Sequence, residues 1–466
     1  VPPGADDARP PVVVVGGGIT GLATAWFLRD RTRVTVLEAD DRLGGKIRTS
    51  SLGGVAVEEG PDTFLARVPH ARDLAAALGV EVVEPATGKA FLWTRGRLRR
   101  LPEGHVLGVP IELWPLVRSG TLPPTAVVRA GLDLVLPRTR PRLSADPSVA
   151  EVIAARMGPG VVDRLVEPLV GGINAGRADD LSLASTAPTL AEAAAANRSL
   201  VLGLRRRAVA PATGPMFLGV AGGLGRMVDR LVAALGEAGV DVRAGAAVTS
   251  VEPDGGAYRV VTTDGTAWPA AAVVITVPTF AAAPMVRGAV PAVAADLARI
   301  RYASVAVSTL AYRPEDVSRP LDGAGFLVPR VERRLMTACT WSTSKWPALA
   351  AGGLVLVRAS AGRSGDDRFA DLADDELVDH LHRELSDAIG VRRPPVTSLV
   401  SRWPSGFPQY QPGHQRRIDR ITSALATAMP GVRVAGAGYR GLGIAACVRQ
   451  AEEAAAAITS ALPSPA

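Results

Sequence analysis

The stretch from Val12 to Leu28 constrains this chain more than any other: four consecutive valines, three glycines, then Ile19, Thr20, Gly21 and an Ala/Trp/Phe/Leu series. Four valines with no polar partner suit a central parallel strand covered on both faces, and the apolar spacing after Gly21 suits a buried helix. Gly16, Gly18 and Gly21 form GxGxxG at the junction. The first glycine permits the turn, the second lets backbone approach a pyrophosphate, and the third lets helix and strand pack closely. The helix start offers free N–H groups and a positive dipole end to phosphates. GxGxxG alone is weak evidence, but a second strand, Val34–Leu37, ends at Glu38, about 20 residues beyond the turn, where a ribose hydroxyl needs an acceptor. An acid there argues for an unphosphorylated adenosine ribose. The glycine pair within Asp41–Arg48, and Gly60-Pro61-Asp62-Thr63-Phe64 beyond it, do not belong to a plain nicotinamide site.

At 466 residues the chain is too long for one compact core, so two or three domains are expected. Its 52 Lys+Arg against 45 Asp+Glu give +7, a mild bias for this size, and 4 % aromatics offer few stacking platforms, so nucleic acid is not the partner. Cys339 and Cys447 form neither a CxxC pair nor a disulfide framework and read as core thiols of a reducing compartment. The five histidines show no metal spacing, since His380 and His382 fall on different faces of one helix. No charged-then-apolar leader precedes Pro11 and no run of 18 apolar residues occurs, which points to a cytoplasmic protein.

Along the chain, Ala71–Val83 reads as a helix and Phe91–Pro102 as a hairpin turning at Gly96. Thr125–Leu136 reads as an apolar helix closed by Arg138, Arg140 and Arg142, which either packs within a helical subdomain or lies on an anionic membrane surface. Ser148–Leu169 and Ser185–Arg206 continue the helical texture. The α/β pattern returns with Phe217–Gly225, a helix to Leu235, a strand at Val240–Val242, a hairpin across Asp264-Gly265 and the buried strand Ala271–Pro278. Strand-like runs at Val305–Tyr312 and Leu354–Ala359, with the helix Asp374–Ile389, suggest a separate antiparallel sheet. Val432–Tyr439 is a strand into glycines, followed by the helix Ala445–Ala461.

The fold class expected is therefore α/β and α+β: a Rossmann-type nucleotide-binding domain assembled from discontinuous segments (11–75, 215–282 and 400–462), a second domain with a mixed or antiparallel sheet (76–104 and 283–399), and a mainly helical subdomain (105–214).

Gly16 to Gly21, Glu38, Gly44-Gly45 and the closing Gly436–Ile444 together resemble the flavin-dependent amine oxidase and protoporphyrinogen oxidase superfamily. Gly60–Phe64, Glu167–Gly176, Met336–Pro347, Val357–Asp366 and Arg402–His414 resemble its porphyrinogen branch, most of all the Gram-positive bacterial enzymes that oxidise coproporphyrinogen III to coproporphyrin III. The resemblance spans nearly the whole chain and implies a role in heme biosynthesis, with FAD held without a covalent link. It assigns Gly16, Gly17, Gly18, Ile19, Thr20 and Gly21 to the pyrophosphate, Glu38 with Ala39 to the adenosine ribose, and Gly44, Gly45 and Lys46 to the phosphate and ribityl side. Gly60, Pro61, Asp62 and Thr63 would approach the isoalloxazine, Val248 the adenine through backbone, and Trp403 with Gly441, Leu442, Gly443, Ile444 and Ala445 would close over the ring. Arg67, Ile173 and Asn174 fall where the family lines its substrate cavity. Two departures stand out: Ala445-Ala446 replaces the family's usual Pro-Asp, and Asn174 its usual aromatic.

No Ser/His/Asp set, metal cluster or strongly paired acid and base appears, so the reactive atoms belong to the flavin, with N5 as hydride acceptor and dioxygen as final oxidant. A disc-shaped porphyrinogen with a propionate rim calls for an apolar slot with cations at its mouth, and Arg67 is the candidate. Protoporphyrinogen IX oxidase, amine oxidase and a non-catalytic porphyrin-binding flavoprotein remain alternatives. Lys345, the only lysine in the second half, would serve an amine oxidase, but its Thr/Ser/Lys/Trp turn reads as surface. Cys447 invites a covalent flavin but reads as a core thiol. Peripheral membrane attachment and a transient ferrochelatase contact stay open.

Overall fold

The computed structural model describes residues 9–135, 145–207 and 214–462. The valine run forms the strand Pro11–Val15, with Val12–Val15 at most 2 % exposed, and the helix Ile19–Leu28 follows with Gly18 at its N-cap. This strand is the centre of a five-stranded parallel sheet ordered Asp241–Arg243, Arg33–Leu37, Pro11–Val15, Ala272–Ile275, Val432–Val434. Strands covered on both faces need continuous apolar runs, which 12–15 and 272–275 supply. The sheet gathers three widely separated stretches of chain. The final helix, Ile444–Ala461, packs beside Ile19–Leu28 in the same apolar core.

A seven-stranded sheet forms the other large layer, in the order Thr397–Pro408, Tyr302–Tyr312, Val355–Ala361, Met336–Trp341, Gly325–Leu327, Ala90–Thr94, Arg97–Arg100. It is mixed, because Gly325–Leu327 pairs parallel with Ala90–Thr94 while its other ladders are antiparallel. The hairpin 90–100 arrives from far upstream, so no tight turn dictates its direction against its neighbour. The expected helix Asp374–Ile389 covers this sheet, burying Leu377, Leu381 and Leu385.

Residues 113–135 and 145–207 are mainly helical and share one core that includes Leu116, Ile153, Leu165 and Leu190. Ser148 starts the helix Val149–Met157 with a capping box: its Oγ accepts the Glu151 N–H (3.1 Å) and the Glu151 carboxylate accepts the Ser148 N–H (2.7 Å). The helical texture expected to Leu169 breaks at Gly158 (φ +87°) and resumes as a π-helix, Val162–Gly171, with Pro168 inside it. Proline has no N–H to donate and crowds the preceding turn, and a widened helix relieves both problems.

The helix expected over 71–83 is also shorter. It spans Pro69–Ala77, and Val82–Val83 instead pairs with Gly219–Val220, so tertiary pairing overrides local propensity. The apolar helix expected at 125–136 is Pro124–Gly131 followed by a 3-10 turn, Leu132–Leu134. Leu136, Arg138, Arg140 and Arg142 lie outside the described residues. Among the described residues no helix is long and apolar enough to cross a membrane.

Candidate cofactor and substrate site

Three glycine loops interlock at the carboxyl end of the parallel sheet. Gly16 takes φ +106°, and a Cβ on Gly21 would stand 1.8 Å from the Gly16 carbonyl oxygen, so helix and turn touch only because residue 21 has no side chain. Around Gly18 a Cβ would meet nothing closer than the Gly45 Cα at 3.9 Å, which leaves that backbone open to a ligand. The second loop locks onto the first, the Gly44 N–H donating to the Gly17 carbonyl at 2.9 Å. Glu38 turns into the cradle: one carboxylate oxygen accepts the Gly17 N–H and the other the Asp40 N–H at 2.9 Å. Ala39 beside it is exposed.

The helices Ile19–Leu28 and Ile444–Ala461 both begin at glycines, Gly18 and Gly443, with neither a side-chain cap nor an acid in the first turn. Two adjacent helix N-termini therefore keep their N–H groups and dipole ends for something else. That arrangement fits the pyrophosphate and the pyrimidine edge of a flavin dinucleotide. Ala445 and Ala446, in the first turn of the second helix, carry no polar side chain there.

The loop Glu58–Thr63 is held from the other large sheet. Glu59, 4 % exposed, accepts from Arg48 Nε (2.8 Å), the Ser50 hydroxyl and the Ser401 hydroxyl (2.6 Å). Trp403 Nε1 donates to the Glu59 carbonyl at 2.8 Å, and Arg358 donates to the Gly60 carbonyl. A Cβ on Gly60 would stand 2.0 Å from the Lys46 carbonyl oxygen, so this loop lies directly on the second glycine loop. Lys46 itself reaches the Gly406 carbonyl, and burial pulls its ammonium below the ordinary range.

The reading of Lys345 as a surface residue is corrected here. Its ammonium sits 2.6 Å from Asp62 Oδ2 with both side chains under one-fifth exposed, and Arg358 stands 3.7 Å from the same oxygen. Burial works against ionisation of Asp62, yet Lys345 and then Arg358 outweigh it and hold the carboxyl below its ordinary value. The Asp62 carboxylate is thus committed to two cations. Glu58, next along, is pushed up to about 7, first by burial, against the Leu224 N–H and the Thr49 hydroxyl that it accepts.

In the closing loop 436–445, Arg440 pairs with Asp419 at 2.7 Å on the exposed side and its carbonyl accepts from Arg449 at 2.9 Å, while the glycine backbone is held by neutral groups. The Tyr410 hydroxyl accepts the Gly441 N–H (2.8 Å) and donates to the Ala437 carbonyl (2.6 Å), while Gln450 accepts from Arg440 N–H (3.2 Å) and donates to the Gly441 carbonyl (3.2 Å). His414 stacks on Tyr410 at 4.0 Å and meets the Tyr439 carbonyl at 2.8 Å. Burial brings its value down to about 4, so it is neutral. Leu442 and Gly443 follow on the open side of the loop.

Arg67 is exposed, next to the short ladder in which Leu65 faces Phe217; Leu65, Met216 and Phe217 are 42, 53 and 37 % exposed. Ile173, 52 % exposed, lies in the turn that ends the π-helix, where Ala175 takes a left-handed φ of 46°. Asn174 faces inward instead, its amide donating to the Val170 carbonyl at 2.7 Å. Ala175 packs with Val305, Trp403 and Phe407, which joins this turn to the tryptophan expected over the ring. Val248 starts the strand Val248–Asp254, with a bulge before Ser250. Cys447 and Cys339 are buried free thiols. Lys345, Arg358, Tyr410 and Gln450 were not among the expected site residues; the stretches 336–347, 357–366 and 402–414 marked three of them as distinctive without revealing a role.

This cradle and fold define a flavoprotein oxidoreductase, and the comparisons agree. Residues 19–459 match the model of the flavin containing amine oxidoreductase family. The chain belongs to that family. It is similar to the coproporphyrinogen III oxidase of Bacillus subtilis strain 168, 34 % identical over 98 % of this chain and 98 % of the relative, and to that of Staphylococcus aureus, 32 % identical over 97 and 99 %. A protoporphyrinogen oxidase of Bos taurus is 27 % identical over 97 and 99 %. Among solved structures, an Exiguobacterium protein provisionally assigned as a protoporphyrinogen oxidase superposes with TM-score 0.86 at 30 % identity, covering 97 and 99 %. Cyclohexylamine oxidase of Brevibacterium oxydans superposes at 0.69 with 19 % identity over 97 and 99 %, which shows a shared fold alone.

Proposed function

We propose that this chain is an FAD-dependent oxidase that converts coproporphyrinogen III to coproporphyrin III in heme biosynthesis, with dioxygen as electron acceptor and hydrogen peroxide released. The observation that carries the reading is the pair of uncapped helix N-termini over interlocking glycine loops, in a chain similar end to end to coproporphyrinogen III oxidases. When bound, the flavin supplies the acceptor for a hydride drawn from a methylene between two pyrroles. The cation left behind spreads over both rings, so departure needs little acid or base.

The chain's own residues then bind and orient. Glu38, already aimed by two N–H groups, takes the adenosine ribose, and Gly16–Gly21 and Gly44–Lys46 take the phosphates. Val248 meets the adenine, and Gly60–Thr63, Trp403 and Gly441–Ala445 enclose the ring. Leu65, Met216 and Phe217 give the mouth an apolar floor for a macrocycle, and Arg67 beside them takes a propionate. Ile173 lines the opposite wall. Cys447 is buried and burial raises its thiol, so a non-covalent flavin fits better than a thioether.

Side-by-side turnover of coproporphyrinogen III and protoporphyrinogen IX, read by porphyrin fluorescence and peroxide release, tests the reading. A preference for the two-propionate substrate would favour a protoporphyrinogen IX oxidase, and amine turnover an amine oxidase. Absence of peroxide with a loaded flavin would favour a binding protein. A cytoplasmic location, with product passed to a ferrochelatase, belongs to the same proposal. So does peripheral contact with an anionic membrane, for which Trp114, Val117, Val128 and Val135 (68, 49, 66 and 68 % exposed) are the support; flotation with anionic vesicles tests it.

A further inference from the structure

The loop Gly60–Thr63 belongs to the parallel-sheet half of the molecule, but the charges that meet it come from the other half. Lys345 ends the short helix Ser342–Lys345, directly after the strand Met336–Trp341, and its carbonyl accepts the Ala86 N–H at 3.0 Å, which pins the backbone from which the side chain reaches Asp62. Arg358, on the neighbouring strand, touches both Asp62 and the Gly60 carbonyl. Asp62 also takes the Thr63 hydroxyl at 3.3 Å. A buried ion pair contributes little net stability, because desolvation cancels most of the Coulomb gain. What it does contribute is a fixed geometry and a fixed local charge.

We infer that Lys345 is a positioning residue for the flavin: its pair with Asp62 sets both the place of the loop Gly60–Thr63 and the net positive charge, shared with Arg358, that this loop presents to the cofactor. The inference rests on the flavin reading above. Asp62, Lys345 and Arg358 together leave one positive charge, which favours the extra electron density of a reduced ring. Each single substitution changes that sum by one unit, in opposite directions, and the double substitution restores it.

The test is the midpoint potential of flavin bound to the full chain, measured at one fixed pH alongside kcat and KM. Lys345→Met should lower the potential and cut kcat about tenfold with KM nearly unchanged, as expected when orientation of the reacting partners is lost. Asp62→Asn should raise the potential, Asp62→Asn with Lys345→Met together should return it towards wild type, and Lys345→Arg should keep both potential and turnover. A purely structural tie predicts no opposed shifts. Potentials that ignore both single substitutions, or move the same way in both, overturn the inference. Should Lys345→Met fail to fold, Asp62→Asn against the double variant carries the same comparison: a raised potential that the second substitution reverses supports it, and two equal potentials overturn it. A wild-type chain that takes up no flavin overturns the cofactor reading itself, and this inference with it.

Discussion

Two loops flank the glycine cradle and are held in opposite ways. Glu58–Thr63 is gripped by charge, through Arg48, Lys345 and Arg358. The closing loop 436–445 turns its Arg440–Asp419 pair out to solvent, and its glycine backbone is gripped by neutral hydrogen bonds from Tyr410 and Gln450, with a neutral His414 stacked behind. The first is reached by side chains on strands of the seven-stranded sheet; the second is held by Tyr410, just after the strand Thr397–Pro408, and by Gln450 on the helix Ile444–Ala461. Ion pairs reach across a seam and set its register, whereas neutral bonds in an apolar core keep a backbone satisfied with little sensitivity to field or salt. The cradle thus has one wall with its ion pairs buried and one whose buried bonds are neutral and whose charges face solvent.

The largest effect should come from breaking the charged wall. Arg358→Met strips a cation from Asp62 and a donor from the Gly60 carbonyl, and should destabilise the chain by about 3–5 kcal/mol, read by denaturant unfolding. A loss below about 1 kcal/mol would mean that the wall is solvated and the contrast false.

Next come opposed pH responses. Glu58 has an ordinary value of 4.5 and about 7 in the fold, so the folded state holds its proton more tightly. Its contribution to stability is full below pH 4.5 and is lost as pH rises to about 7. Glu58→Gln should remove that decline, worth about 3 kcal/mol at most. His414 runs the other way: its value falls from 6.5 to about 4, so its contribution is present above pH 6.5 and is lost as pH falls towards 4. His414→Gln should flatten the acid side by a similar amount. Melting profiles from pH 4 to 8 on the two variants would show one flattening where the other does not, and identical profiles would erase the distinction.

The smallest effect belongs to the neutral wall. Tyr410→Phe leaves the Gly441 N–H and the Ala437 carbonyl without that hydroxyl and should cost about 1–3 kcal/mol, with a weaker apparent affinity for added FAD and no change in the salt dependence of unfolding. Arg358→Met, by contrast, should alter that salt dependence.

What could be read from the chain beforehand follows the same division. The strand, glycine turn, helix and second strand at 12–37 lie close together in sequence, and the structure forms them as read. Helix Asp374–Ile389 was legible for the same reason, its leucines repeating at helical spacing. The short helix at 69–77 was overestimated because a distant strand captures Val82–Val83, and no local pattern announces that partner. The π-helix hid behind an ordinary apolar period, with only Pro168 as a clue. Lys345 was misread because a lysine in a Ser/Thr turn is usually solvated, and Asp62, its partner, lies 283 residues upstream. Motif resemblance marked that stretch as distinctive; only three dimensions supply the carboxylate.

The distances in sequence also bear on when the cradle can exist during synthesis. The loop around Gly60 needs Lys345, Arg358, Ser401 and Trp403, and the sheet beneath the glycine turn lacks its edge until Val432–Val434 is made. A ribosome that has translated only as far as Lys345 has therefore made the glycine motif but not Arg358, Ser401 and Trp403, which shape its wall. On the flavin reading proposed above, cofactor capture waits for the helix Ile444–Ala461, and chains cut short before that helix should be colourless even though every residue of the opening motif is intact.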